Sequence, residues 1–309
     1  MLMVTESAIV HGLRALGLNS SSAIIVHASL RSFGKVSGGA FTVCQALLST
    51  GATLLVPAGS WDLTGAPAPP GLLRPHNAVP MASTWQAFDE ALSRAVPFAD
   101  DLPIDQELGL IPETMRRAFP HVRSRHPLMS YLALGAHAQE LVAAQRLDWP
   151  LGPLEVLAER EGDVLLLGVS HTSNTAIHLA EQYLGRSRFY RYAKVTDRVW
   201  MELPNIPGQS HRFDEIEPHC RAATQEVMIG SCRARRIPMR EVLAVAHRLI
   251  LANPAALLCE HPDCRCFAAL QQRLEVGLGS LQKSITTHFC STFRERKNSR
   301  QSTWQEFSL

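Results

Sequence analysis

The stretch Leu165 to Glu181, LLLGVSHTSNTAIHLAE, constrains this chain more than any other, because an unbroken apolar run stops at a polar loop that opens a helix carrying a histidine. Val164 to Leu167 has the length and composition of a strand buried on both faces, as found where helices cover both sides of a sheet. After Thr172 the apolar period becomes helical, with Ser173 as the expected N-cap and Gly185 as the expected stop. The class implied is α/β, and chemistry is expected at the strand-to-helix junction.

On that helix Asn174, Thr175, His178, Glu181 and Gln182 recur at spacings of three and four, while Ile177, Ala180 and Leu184 form the apolar stripe. His178 is therefore expected beside the core, with polar neighbours on its own face. A carboxylate one turn after a histidine fixes its tautomer and raises its basicity, so His178 with Glu181 is a candidate general base. Pattern alone favours the plainer reading, since a lone helical histidine near a glutamate more often serves structure.

Strand and helix signals alternate along the rest of the chain. Thr5 to Leu16 reads as an amphipathic helix closed by Gly17, Ala23 to Val26 as a buried strand, Phe41 to Leu48 as a helix and Ala52 to Val56 as the next strand. Tyr131 to Leu134, a helix from Ala136, and Val164 to Leu167 continue the alternation. Residues 62 to 80 contain five prolines and read as a long loop, either a lid or a surface insertion, before a short helix from Trp85 to Ala95. Asp214 to Ile229 and Met239 to Ala252 read as two further helices. The last stretch, from Thr286, is poor in apolar residues and is expected to be disordered.

At 309 residues and 46% hydrophobic, the chain can bury one large core, and one enlarged domain is expected. A net charge of +2 is too small to argue for nucleic acid. No run approaches a membrane span and no secretory signal is recognisable at the start, so a cytoplasmic address is expected. Seven cysteines, an odd number without a regular framework, suit reduced thiols. Cys259, Cys264 and Cys266, with His261 between the first two, form a C-x4-C-x-C cluster that matches no zinc knuckle or ribbon, and no metal is expected.

Ser29 to Thr42 places Arg31, Ser32, Gly34, Lys35, Gly38 and Gly39 between a strand and a helix, where backbone N–H groups and two cations could meet a pyrophosphate. The spacing fits neither the P-loop nor the dinucleotide pattern, and on spacing alone a Gly-rich connecting turn is the stronger reading.

The segment Gly168 to Glu181 resembles the signature GVGHxxNTxxHLAE of the aminoglycoside N(3)-acetyltransferase family. VHASLRSFGKVSGGAFTVCQALL, Val26 to Leu48, resembles that family's block HSSL-x-x-x-G-x-V-x-GG-x-x-T-V-x-x-ALL, and GLIPETMRR from Gly109 and RSRHPLMS from Arg123 resemble two more. Four blocks in order over roughly residues 23 to 185 cover more than half the chain, and the likeness weakens after Tyr190.

The resemblance implies a single enlarged α/β/α domain with a central mixed sheet over residues 1–284, including a long loop or insert at 62–100 and a mainly helical part at 205–284, and composition leaves a disordered tail at 285–309. It implies acetyl transfer from acetyl-CoA to a primary amine of an aminoglycoside-like antibiotic, with His178, Glu181, Asn174 and Thr175 at the chemistry. Ser29, Arg31, Ser32, Gly34, Lys35 and Val36 would lie along acetyl-CoA, and His171, His126 and Asp62 near the amine substrate.

Two departures keep alternatives open. Val56-Pro57-Ala58 stands where the family commonly has Met-Pro-Thr, and the chain is slightly basic although aminoglycosides are polycations. A biosynthetic acyltransferase using CoA or an acyl carrier protein and another amine is one alternative. A non-catalytic metal- or ligand-binding relative is the other.

Overall fold

The computed structural model describes residues 3–72 and 77–280, with side chains through residue 276. The expected disorder from Thr286 and the proposed tail at 285–309 lie outside the described residues. The helices are α1 (Glu6–Ala15), α2 (Gly39–Leu48), α3 (Trp61–Thr64), α4 (Trp85–Arg94), α5 (Leu110–Ala118), α6 (Ala138–Ala143), α7 (Gly152–Glu159), α8 (Thr175–Tyr183), α9 (Glu217–Cys220), α10 (Met239–Ala252) and α11 (Arg265–Ser280). The strands are β1 (Ala23–Ala28), β2 (Thr53–Pro57), β3 (Gly65–Ala66), β4 (Val122–Arg123), β5 (Tyr131–Leu134), β6 (Asp163–Leu167), β7 (Phe189–Thr196), β8 (Val199–Ile206), β9 (Gln225–Ile229) and β10 (Cys232–Pro238). No helix among the described residues is long and apolar enough to cross a membrane.

Seven strands form one mixed sheet in the order β4-β5-β2-β1-β6-β10-β9. Its centre, β2-β1-β6, is parallel, and the flanking pairs are antiparallel. Side chains alternate across this sheet as strand geometry requires. Ile24, Val26, Leu165 and Leu167 face a layer containing Ile9 of α1, Val43 of α2 and Met115 of α5. Ile25, Val164 and Leu166 face the opposite layer, with Leu141 of α6, Leu157 of α7, Ile177 of α8 and Val242 of α10. The result is the α/β/α sandwich with a mixed sheet that the resemblance implied.

A second sheet, β3-β7-β8, holds what the sequence reading left as loop. The described parts of residues 62–80 are therefore not a free loop: β3 pairs with β7, and Ala66 and Ala68 join Ala82, Phe88, Leu92 and Tyr192 in a small core. The helix expected over Asp214–Ile229 is also corrected. It breaks into the turn Phe213–Ile216, the single-turn α9 and the edge strand β9, because Gln225 to Ile229 pairs with β10 and a hairpin takes its backbone hydrogen bonds.

Candidate active site

The parallel strands define where a ligand can sit. β1 leads through α2 to β2 on one side, while β6 lies on the other side of β1, so the connections diverge at the β1/β6 boundary. Open α/β sheets bind ligands outside the carboxyl ends of strands at such a switch point. Five segments meet along that edge: residues 29–34 after β1, 58–62 after β2, 168–174 after β6, the turn before β5, and the start of β10. The first and third touch, since the Ser29 amide donates to Leu167 O at 2.9 Å. Gly168, at φ +66°, is required there: a Cβ would lie 1.8 Å from Ser32 Oγ.

α8 rises from this edge. Its N-cap is Asn174 rather than the expected Ser173, with Oδ1 accepting from the Ala176 amide at 3.2 Å. The preceding residues His171–Ser173 are spent on a 3-10 turn, which moves the helix start one residue on. Gly185, at φ +80°, follows the last turn as expected.

The polar face of α8 is inside the protein, a second correction: Glu181 and Gln182 are fully buried and His178 is nearly so. The covering groups come from distant segments. His178 Nδ1 lies 2.8 Å from Glu181 Oε2. The other carboxylate oxygen accepts from Arg186 Nε at 3.0 Å, and the same guanidinium donates to Pro254 O and Ala256 O, each at 2.8 Å. Phe213 closes the remaining side, its ring 4.7 Å from that of His178. Burial pushes the Glu181 carboxyl up, but the hydrogen bond to His178 and the Arg186 charge outweigh it, leaving the group below its ordinary value and ionised. An ionised acceptor at Nδ1 keeps the proton there and leaves Nε2 as the basic nitrogen. Among the described residues Nε2 has no protein partner.

His171, Asn174 and Thr175 form a second set. Asn174 Nδ2 is 3.1 Å from His171 Nδ1, so Asn174 both caps the helix and orients the first histidine of the motif. Burial, and then the charge of Arg235, lower His171 to about 4, so it is neutral and a weak proton acceptor. The Thr175 amide points at His27 Nε2 across 3.5 Å, and burial lowers His27 to about 3. His27 was given no role from sequence, although it lies within the matched VHASL block. Arg186 and Phe213 were missed as well: they lie outside the matched pattern, and nothing in their neighbours marks them.

Among the cofactor candidates, Ser32 donates its hydroxyl to Ser29 O at 2.7 Å, Gly34 turns the chain at φ +81°, and Val36 bridges to Val4. Arg31 and Lys35 remain exposed, and among the described residues their side chains make no hydrogen bond or ion pair, which leaves both available to an anion.

The substrate candidates separate. His126 is buried, its Nδ1 accepting from the Leu128 and Met129 amides at 3.2 and 3.0 Å, and burial lowers it to about 4. Nδ1 thus shapes the turn before β5, while Nε2 is buried without a partner among the described residues. Asp62 is exposed on α3, whose first amides are held by Asp105: Trp61 N donates to Oδ2 at 2.7 Å and Asp62 N to Oδ1 at 3.1 Å. Burial, with Asp62 and Glu107 repelling it, raises Asp105 to about 6 despite those amides. Asp62, Asp105 and Glu107 thus form a carboxylate group at the end of β2. Elsewhere Asp100 pairs with Arg125, and Glu217 with Arg233 and Arg235. Ala58, where the family has a threonine, is fully buried, with its carbonyl taking Arg123 and Ser130.

Residues 25–250 match the family model described as aminoglycoside 3-N-acetyltransferase. The chain is 35% identical over 260 residues to aminoglycoside N(3)-acetyltransferase IX of Micromonospora chalcea, covering 76% of this chain and 86% of that protein. It is 30% identical over 264 residues to the aminoglycoside N(3')-acetyltransferase-like protein YokD of Bacillus subtilis, covering 81% and 93%. The crystal structure of YokD superposes with a TM-score of 0.72 at 27% identity, over 82% of this chain and 96% of that one. That of aminoglycoside acetyltransferase AAC(3)-Xa superposes with a TM-score of 0.66 at 30% identity, over 80% and 92%. By sequence and by fold alike, this chain belongs to the aminoglycoside 3-N-acetyltransferase family.

Proposed function

We propose that the chain transfers an acetyl group from acetyl-CoA to the 3-amino group of an aminoglycoside-like antibiotic in a ternary complex, with His178 as general base. The observation that carries this reading is the buried chain of groups His178, Glu181 and Arg186, anchored on α8, the helix that follows the carboxyl end of β6. A neutral amine is needed for attack on a thioester, and most of an amine is protonated at neutral pH. The ammonium first loses one proton to solvent; as the neutral amine attacks and the C–N bond forms, His178 takes the second proton from that nitrogen at Nε2 and passes it to the departing thiolate as the C–S bond breaks. Glu181 stabilises the transient imidazolium, and Arg186 keeps Glu181 ionised. General-base action contributes about 10²- to 10⁴-fold, and holding amine and thioester together contributes comparably or more.

Arg31 and Lys35 are assigned to the donor's phosphates, beside the Gly-rich turn after β1. Asp62, Asp105 and Glu107 are assigned to the cationic acceptor, since carboxylates attract polycations and none of the three is tied up in an arginine pair among the described residues. Asn174 and His171 are assigned to orienting the reacting groups at the head of α8, with Thr175 beside them. His126 is assigned to shaping the cleft rather than to contact with ligand. Use of free acetyl-CoA and the free thiols of Cys44, Cys220 and Cys232 fit a cytoplasmic address.

The test is thiol release from acetyl-CoA with aminoglycosides that carry or lack the 3-amino group, in wild type and His178→Ala. Release that needs both the 3-amine and His178 supports the reading. Near-normal turnover by His178→Ala would overturn the assignment of the base. No release with any aminoglycoside, together with calorimetric binding of CoA, would point to the biosynthetic alternative, with another amine or a carrier-bound donor.

A further inference from the structure

Away from the strand-end edge, three thiols and an imidazole converge. Cys259, Cys264 and Cys266 come from the segment leading into α11, and His211 from the loop after β8. Their four ligand atoms all lie within 4.8 Å of one another. His211 Nε2 is 4.0 Å from Cys264 Sγ and 3.8 Å from Cys266 Sγ. Around a tetrahedral zinc with Zn–S of about 2.3 Å and Zn–N of about 2.0 Å, neighbouring ligand atoms stand roughly 3.5 to 3.8 Å apart. The side chains therefore need to close by no more than about 1 Å to form a ligand shell.

Other readings of the cluster fail on the same geometry. A disulfide requires an S–S distance of about 2.05 Å and would use two thiols, leaving the third and the imidazole unexplained, and all three cysteines are free. Cysteines serving only as core filler would be enclosed, yet Cys259 and Cys264 are half-buried and His211 is exposed; Leu258 and Ala269 pack beneath them. The imidazole is not the one the sequence suggested. His261 turns away, accepting the Asp263 amide at its own Nδ1, and His211 reaches the cysteines from a segment far away in sequence.

We propose that Cys259, Cys264, Cys266 and His211 hold a structural zinc ion. Three thiolates and one imidazole make a soft donor set that suits zinc, and with four protein ligands no position is left open for a substrate. The ion is a fastener for the established fold, outside the acetyl-transfer chemistry. It joins two segments that support the catalytic pair. Two residues beyond His211, Phe213 packs on the His178 ring, and Asp214 Oδ1 accepts from the Thr172 amide at 3.3 Å. Just before Cys259, the Pro254 and Ala256 carbonyls receive Arg186, which holds Glu181. The ion touches neither His178 nor Glu181, and acts by keeping both of their supports in register.

The experiment is elemental analysis of the full chain purified without added metal or chelator, followed by thermal denaturation with and without a chelator. About one zinc per chain is expected, falling below about a tenth in Cys264→Ser and His211→Ala and retained in His211→Cys, which rebuilds a four-ligand set. Because His211 is exposed, His211→Ala leaves no hole in the core, so loss of metal there reads ligation and not unfolding. Chelator should lower the Tm of wild type and leave that of His211→Ala unchanged. Protein grown on cobalt should show the visible bands of a tetrahedral thiolate site. A metal-free wild type, whether its thiols are free or bridged, or zinc retained equally in Cys264→Ser and His211→Ala, would overturn the site. Thiol release from acetyl-CoA is read separately, so a zinc-free but active enzyme sinks only the metal site, and a zinc-loaded but inactive one sinks only the proposed function.

Discussion

Glu181 and Asp105 are both carboxylates almost wholly removed from solvent, at 0% and 4% exposure, yet their charges are driven in opposite directions. Glu181 lies between His178 and Arg186 and is held below its ordinary value. Asp105 has two backbone amides but no cation at hydrogen-bonding distance, and burial raises it to about 6. Burial is common to both, so what decides ionisation is whether a cationic partner arrives to offset it. A buried arginine stands beside Glu181, which holds His178, and among the described residues none stands within hydrogen-bonding distance of Asp105, which accepts the first amides of α3.

The largest expected break in this contrast is Glu181→Gln. The amide keeps the size but can present N–H to His178 Nδ1, placing the imidazole proton on Nε2 and removing its basicity. Turnover should fall on the order of 10⁴-fold, by analogy with the equivalent change in serine proteases, while the thermal midpoint changes little. An unchanged turnover would show that the charge on Glu181 is not used.

Arg186→Met should come next, since it leaves a buried carboxylate without its counterion. A loss of about 3–5 kcal/mol is expected by chemical denaturation. Glu181 should then behave more like Asp105, taking up a proton at higher pH and carrying the activity profile with it. Loss of less than about 1 kcal/mol would mean that Arg186 is dispensable to the pair.

Asp105→Asn tests the other half. A carboxyl raised from 3.8 to about 6 binds its proton more tightly folded than unfolded, so the stability linked to it is fully present below about pH 3.8 and is lost as pH rises through about 6. The variant should remove that slope from a plot of denaturation midpoint against pH, at a cost of about 1 kcal/mol for the amide acceptor it weakens. Glu181 has the opposite sign: its contribution is present above its unfolded value and lost as pH falls through its depressed folded one.

The smallest effect is expected at Lys35, an exposed cation. Lys35→Ala should raise the KM for acetyl-CoA by about two- to fivefold, and by less as salt increases. No change at low salt would remove Lys35 from the donor site.

Much of the central layer was legible because its signals are local. Leu165 to Leu167 is apolar without interruption since helices cover both faces of β6, and the helical period of α8 begins at a capping asparagine one residue after the serine that was expected. The antiparallel additions were not legible. Cys232 to Pro238 contains three arginines and reads as surface, yet it is a strand whose Arg235 and Arg236 are balanced by Glu217 and Asp163. Gly230-Ser231 between β9 and β10 was the available hairpin signal. At the site, His178 and Glu181 could be paired because one turn of helix separates them. Arg186 was hidden since its reach to Pro254 and Ala256 depends on where α10 ends.

By itself the sequence determined the α/β alternation, the pairing of His178 with Glu181 one helical turn away and, through four blocks in order, the family, because each depends on local periodicity, spacing or composition. Only the tertiary structure decided that the polar face of α8 is buried, that Glu181 is held below its ordinary value by His178 and Arg186 while burial raises Asp105 to about 6, and that His211 rather than His261 meets the three cysteines. Those outcomes depend on which distant groups the sheet and its helices bring within hydrogen-bonding reach. No local pattern encodes such distances.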